Sequence, residues 1–408
     1  MPARLQGAVM RKLSFWLILL GIYLMVASPL MPQFRDDFDG PDLKLDPEGV
    51  KGWTFFSGAG QSKMEFKQGG PGYASIFVDA TADRRNVWWA LIKRQVSDSL
   101  DLSLLKKPEY ELRVEARVRV SHAPRRINLH LNTQKTTDFH THLMEFDIPD
   151  TENWHTVSMT TRDFEAEPGD RVNAQMALMD WGLGKYRVDV DYIKVDVVDV
   201  KRAGPDNGEA VVYHPPVADR EKFGHVVSAK ESATVDVENP EINLGRWYIH
   251  DSGGKCEVIT AGGSRLAILR WDLSALAGRE AVGSGLLELT TRAVERTADD
   301  IPDFGLIRVV EIHGGDVRWE KKTVNLAGLL QGKPFDQVFN TQTIIDWPVA
   351  EGDGAKTYLT ISRPVLRRLL NGKTLGLAIL PLGAINASFY GAEASEADYR
   401  SKLRLNTR

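Results

Sequence analysis

His130, His140 and His142 fall within thirteen residues of the stretch RINLHLNTQKTTDFHTHLME (126–145), in a chain that has nine histidines in all. Imidazole titrates nearest neutral pH, and its two nitrogens can donate, accept or ligate a metal. Three chemistries suit such a cluster. Together with Arg113, Arg117, Asn128, Asn132, Asn173 and Gln175 it supplies directional donors and acceptors for sugar hydroxyls and carboxylates. An exposed ring such as Trp88, Trp89 or Trp181 could stack on the pyranose face. Alternatively, His130 or His142 could serve as the base of a β-elimination, with Tyr186 as the acid and Arg, Asn or Gln neutralising a uronate carboxylate. Finally, His140 and His142 with His130 opposite could converge on zinc, whose bonds to nitrogen are about 2.0–2.1 Å. Glu145 has the wrong strand parity to complete that set. Against all three stands plain surface chemistry, because the outward positions of a solvated strand are polar anyway.

The elements that must hold these residues read as strands. If 126–132 and 138–144 form a hairpin over a loop at 133–137, opposed residue numbers sum to about 270. His130 then faces His140 and Asn128 faces His142, while Leu131 faces Phe139 and Ile127 faces Leu143, so apolar pairs close on one face and polar pairs on the other. The alternation of Tyr110–Val120 predicts a half-buried strand beside it, bringing Arg113, Glu115, Arg117 and Arg119 to the polar face, and 172–179 adds Asn173 and Gln175. In 186–197 the apolar positions change parity near Asp191-Tyr192, which predicts a bulge.

Many short alternating segments divided by Gly, Pro, Asn and Asp argue for an all-β chain of two sandwich or jelly-roll-like domains in tandem. The first spans 35–200 and the second 225–408. Between them KRAGPDNGEAVVYHPPVADREKFG (201–224) has no periodicity and reads as a linker. In the second region 266–273 and 285–290 read as strands, and Val365–Leu370 as a short helix with basic residues in its last turn and Gly372 just past its end.

The second region resembles the DNRLRE-type domain, a sandwich similar to carbohydrate-binding modules. LAILRWDLSAL (266–276), LLNGKTLGLAI (369–379) and SFYGAEA (388–394) before Lys402-Leu403-Arg404-Leu405 carry that resemblance, in order. The first region is similar to galactose-binding-like jelly rolls through Phe38-Asp39 at its start and Asp189-Val190-Asp191 near its end. Arg113-Val114-Glu115-Ala116-Arg117 and Asn128-Leu129-His130 look like the corresponding strands of jelly-roll alginate lyases, but that family's third motif is missing, with only Gly184-Lys185-Tyr186 in its place. The resemblances imply polysaccharide engagement. A structural calcium at Asp37, Asp39 and Asp191, where first and last strands would meet, is a further expectation.

Composition narrows the alternatives. A net charge of −4 gives no global positive field for nucleic acid. With Cys256 alone, no intrachain disulfide can form. Neither a Gly-x-Ser-x-Gly elbow nor a distinguishable pair of glycosidase carboxylates is present; Glu115 and Asp147 are acidic, but nothing couples them. Arg4, Arg11 and Lys12 precede an uncharged stretch from Leu13 that lasts until Arg35, so 1–34 reads as a signal peptide or a retained membrane anchor. The expectation is therefore a secreted, periplasmic or cell-surface protein that binds a polysaccharide, in particular an acidic, uronate-containing one. A polysaccharide lyase and an envelope adhesion protein without a sugar site are the alternatives.

Overall fold

A computed structural model describes residues 33–57, 63–82, 89–179, 184–212, 215–251, 254–296 and 305–408; the N-terminal basic and apolar segment lies outside them. The first half carries β1 (Gln33–Asp36), β2 (Thr54–Ser57), β3 (Lys63–Gly70), β4 (Tyr73–Asp79), β5 (Trp89–Gln95), β6 (Tyr110–Val120), β7 (Arg125–Thr133), β8 (Leu143–Ile148), β9 (His155–Thr160), β10 (Val172–Met179), β11 (Lys185–Asp199) and β12 (Ala210–Val211). One sheet runs β3-β4-β11-β6-β9, with β1 also on β11, and the other β12-β8-β7-β10-β5-β2. Alternation decides what lies between them. Val114, Ala116 and Val118 of β6 and Ile127, Leu129 and Leu131 of β7 are fully buried in one core. Each such aliphatic burial is worth about 1.5–3 kcal/mol. The bulge at Asp191 keeps both Val190 and Ile193 inward, because the register with β6 shifts between Val190 and Tyr192.

Two sequence expectations change here. β7 pairs with β8 so that His130 faces Leu143 and Asn128 faces Glu145, and opposed residue numbers sum to 273. The expected strand over 138–142 is replaced by a loop, in which Asp138 accepts from the backbone N–H of His140 and Thr133 and Thr136 bond each other's backbone. Such side chains offer the backbone an alternative to the ladder. His142 takes a left-handed conformation, φ 58°, and Phe139 is 58% exposed instead of buried. The second change is that β6 pairs with β11 and β9, not with β7. Residues 121–124 carry the chain from one sheet to the other, so Arg113, Glu115, Arg117 and Arg119 belong to the opposite sheet from the histidines.

The second half carries β13 (His225–Ser228), β14 (Glu231–Asp236), β15 (Tyr248–Asp251), β16 (Gly254–Glu257), β17 (Ile259–Gly262), β18 (Arg265–Arg270), β19 (Gly285–Arg296), β20 (Gly305–Ile312), β21 (Phe339–Pro348), β22 (Lys356–Ile361), β23 (Gly376–Gly383), β24 (Ile385–Phe389) and β25 (Lys402–Leu405). Its helices are α1 (Leu326–Leu330), α2 (Phe335–Val338) and α3 (Arg363–Leu370). β19 belongs to both layers of this sandwich: it pairs with β22 and β25 up to Thr290, then shifts register and pairs with β24. Leu287, Leu289, Leu359 and Leu403 thereby pack against Leu269, Ile379 and Phe389.

Segment 201–224 is bound along its course. Arg113 donates to the carbonyls of Ala203 and Pro205, Asn207 N–H donates to Ser158, β12 joins β8, and Thr360 donates to the Pro216 carbonyl. Buried charges join the two sandwiches. Arg368 of α3 forms a double hydrogen bond with Asp147 of β8 (2.7 and 3.1 Å) and another with Glu311 of β20 (2.7 and 2.9 Å). Arg126 donates to Glu145 and to the Ile344 carbonyl, both at 3.0 Å.

Candidate functional site

Because β7 alternates, everything opposite its apolar side collects on one polar face of the second sheet. Across the strands, one row reads Glu145, Asn128, Ala177, Leu91, Phe56, and the next Leu143, His130, Gln175, Lys93, Thr54. Asn132 and Asn173 face each other in a third row, with the Asn173 amide donating to Asn132 at 3.2 Å. Exposure is graded over this face: Asn128, His130, Asn132 and Gln175 are buried at its centre, Leu91, Lys93 and Asn173 half-buried, and Phe56 of the edge strand β2 is 41% exposed. Phe139 flanks the other side, its ring edge-on to His130 at 6.1 Å.

Two buried groups at the centre have no partner among the described residues, the Asn128 Nδ2 amide and His130 Nε2. Burial lowers the His130 pKa from 6.5 to about 4, and the charges of His142, His140 and Lys93 push the same way, so the ring is neutral at pH 7. The Thr141 backbone acts in the opposite direction, as a hydrogen-bond partner of the ring. A neutral imidazole carries one donor and one acceptor nitrogen, and Nε2 presents one of the two beside the Asn128 amide donor. Lys93 has its pKa lowered by burial and by Arg171.

The other two histidines belong to the loop. His140 Nδ1 lies 3.1 Å from Asp138, and His142 Nε2 lies 2.9 Å from the Arg162 carbonyl with its ring against Phe164. Among the described residues no group of three or more His, Cys, Asp or Glu could hold a metal. Asp37 is paired with Arg35 and Asp191 with Arg117, so guanidinium charge stands where a calcium would, and Asp39 joins neither. Arg113 and Arg117 sit on the opposite sheet, spent on the 203–205 carbonyls and on Asp191. Tyr186 is also in that sheet and buried in the core, with the Arg125 guanidinium 4.0 Å from its ring and its pKa raised by burial. Tyr186 lies in the core between the sheets and His130 on the outer polar face of the second, so the two do not share a face. Trp181 and Trp88 lie outside the described residues, as does the side chain of Trp89.

At the loop end, a separate cavity of about 670 Å³ is lined by Asp138, Asp163, Glu165, Glu167 and Asp170 against Lys106 and Lys135. Its charge is net negative. Asp170 is engaged by Lys135 and Gln134.

No protein-family model matches the chain, and no curated protein does. Solved structures similar to it include the family 11 carbohydrate-binding module of the cellulosomal cellulase Lic26A-Cel5E of Clostridium thermocellum, at 14% identity over 41% of this chain and 96% of that one, TM-score 0.27. A CBM4 module is similar at 14% identity over 40% and 97%, TM-score 0.28. The glycoside hydrolase domain of Endo-D from Streptococcus pneumoniae is similar at 10% identity over 81% and 43%, TM-score 0.26.

Sequence reasoning missed Lys93, Leu91 and Phe56. Nothing in Trp89–Gln95 (WALIKRQ) marks its partner strands, and only the register of β5 between β10 and β2 brings Lys93 beside Gln175.

Proposed function

We propose that the polar face of the β7–β10–β5 sheet binds a carbohydrate, and that the chain is a polysaccharide-binding protein. The observation that carries this is the unsatisfied pair at its centre. A buried polar group without a partner costs about 1–3 kcal/mol. Both atoms are covered in this structure, so a sugar hydroxyl exchanges hydrogen bonds with His130 Nε2 and the Asn128 Nδ2 donor once neighbouring side chains shift. Phe56 and Phe139 supply exposed rings on either flank for the apolar face of a pyranose. Binding is the reading the geometry favours over elimination, since burial makes His130 a weak base and no tyrosine or free carboxyl among the described residues shares its row. Export to the periplasm, medium or cell surface, with or without retention of a membrane anchor, is part of the proposal and rests on the basic and apolar N-terminal sequence.

The test is affinity electrophoresis of the full chain through gels cast with a panel of neutral and acidic polysaccharides. Asn128→Ala removes an amide whose N–H is unpaired, so its melting temperature should stay close to that of the wild type while affinity falls about 2- to 10-fold. Phe56→Ala should weaken binding at an exposed position with equally little effect on stability. Retardation of both variants equal to that of the wild type refutes the site.

A further inference from the structure

The charge on this face defines which sugar fits it. We infer that the face takes an anionic saccharide, with its carboxylate or sulfate held by Lys93 while a neighbouring hydroxyl meets Asn128 and His130; this rests on the carbohydrate reading of the same face. Lys93 stands between Gln175 and Thr54 in the middle of the sheet, half-buried, and forms no ion pair with a described carboxylate. The charged group that acts on it is Arg171, a cation, which precedes β10 and shares the parity of Asn173 and Gln175. Lys93 is also among the groups that act on His130. Carboxylates do occur on the face, but Glu145 is paired with Arg126, and Asp147 shares Arg368 with Glu311 of the other sandwich. Lys93 is left without a carboxylate among the described residues. Leaving a half-buried ammonium without a counter-ion is unfavourable, and an anion at that position forms a charge-assisted hydrogen bond. The acidic cavity at the loop end repels the same ligand, so the two sites are electrostatically distinct.

The probes are a soluble polyuronate, the same polymer after carboxyl reduction to its neutral form, dextran, and dextran sulfate, each titrated calorimetrically against the full chain at low and high salt. Wild type should bind an anionic polymer at least about 10-fold more tightly than its neutral counterpart, and salt should erode the difference. Preference for the polyuronate assigns a carboxylate and preference for dextran sulfate a sulfate; either supports the inference. Lys93→Met keeps most of the aliphatic stem and should bring anionic binding down to the neutral level, with circular dichroism unchanged. Equal affinity of wild type for charged and neutral polymers, or a Lys93→Met variant that keeps the preference, overturns the inference while the carbohydrate reading stands. Failure to bind any polymer overturns both.

Discussion

Replacing Arg368 with Met should cost the protein several kcal/mol, and the amount follows from what the guanidinium holds. Arg368 is 6% exposed and bonds two buried carboxylates, Asp147 from one sandwich and Glu311 from the other. Glu311 is fully buried, which alone would raise its pKa, yet Arg368, with His313 and Thr374, brings it down from 4.5 to about 2. A carboxyl held that far below its ordinary value has its ionised form favoured by about 3 kcal/mol. Removing one partner of a buried pair costs about 3–5 kcal/mol by independent measure. The two figures agree. For a domain of this size that is a fall of roughly 6–20 °C in melting temperature. The pH dependence has a fixed sign. Because the folded pKa is depressed, the contribution is complete above pH 4.5 and lost as pH falls towards 2, so wild type and variant should differ most at neutral pH and converge in acid. Adding Glu311→Gln to Arg368→Met removes one of the stranded charges and should recover part of the loss. Thermal unfolding of the three proteins between pH 3 and 7.5, followed by tryptophan fluorescence, tests all of this. A single variant within about 2 °C of wild type at pH 7 would refute the reasoning.

His130 predicts a second acid sensitivity. With its folded pKa lowered from 6.5 to about 4, the unfolded chain takes the proton first, so stability declines as pH falls from 6.5 through 4 by up to about 3 kcal/mol. The profile of His130→Gln should be flatter over that window in denaturant titrations; parallel profiles would show that the ring is not held neutral by burial. Gly315 has φ 79° and its absent Cβ would lie 2.0 Å from the Leu329 carbonyl oxygen, so Gly315→Ala should destabilise by at least about 2 kcal/mol in the same assay, and a neutral substitution would mean that the 315 turn relaxes freely.

Strand existence was legible where alternation ran long. Tyr110–Val120 and Val172–Met179 form strands with the bounds read from sequence, and the parity change at Asp191 marks a real bulge. Helix α3 and Gly372, with φ 74°, stand where the helical spacing and stop signal put them. Pairing was the part that failed. A hairpin register is decided by how the turn is built, and Thr133, Thr136 and Asp138 bond the backbone in a way that keeps 138–141 out of the ladder, moving the sum from 270 to 273 and Phe139 into solvent. Alternation says which residues of a strand share a face, but not which sheet receives it. β6 and β7 are separated by a few residues and belong to different layers, which took Arg113 and Arg117 away from the histidines. Lys93 was hidden for the same reason, since its place depends on two partners distant in sequence.

The seam between the sandwiches bears on how such a chain can evolve. A module joined by a slack tether can be cut out, duplicated or grafted onto another protein with no residue changed. Here Asp147 and Glu145 occupy the polar side of β8 while their cations connect with the other half: Arg368 lies on α3, and Arg126 also grips the Ile344 carbonyl. Transplanting the first sandwich alone would strand Asp147 without its guanidinium. The two halves are therefore expected to be inherited as one unit, with substitutions at Asp147, Glu311 and Arg368 accepted together or not at all.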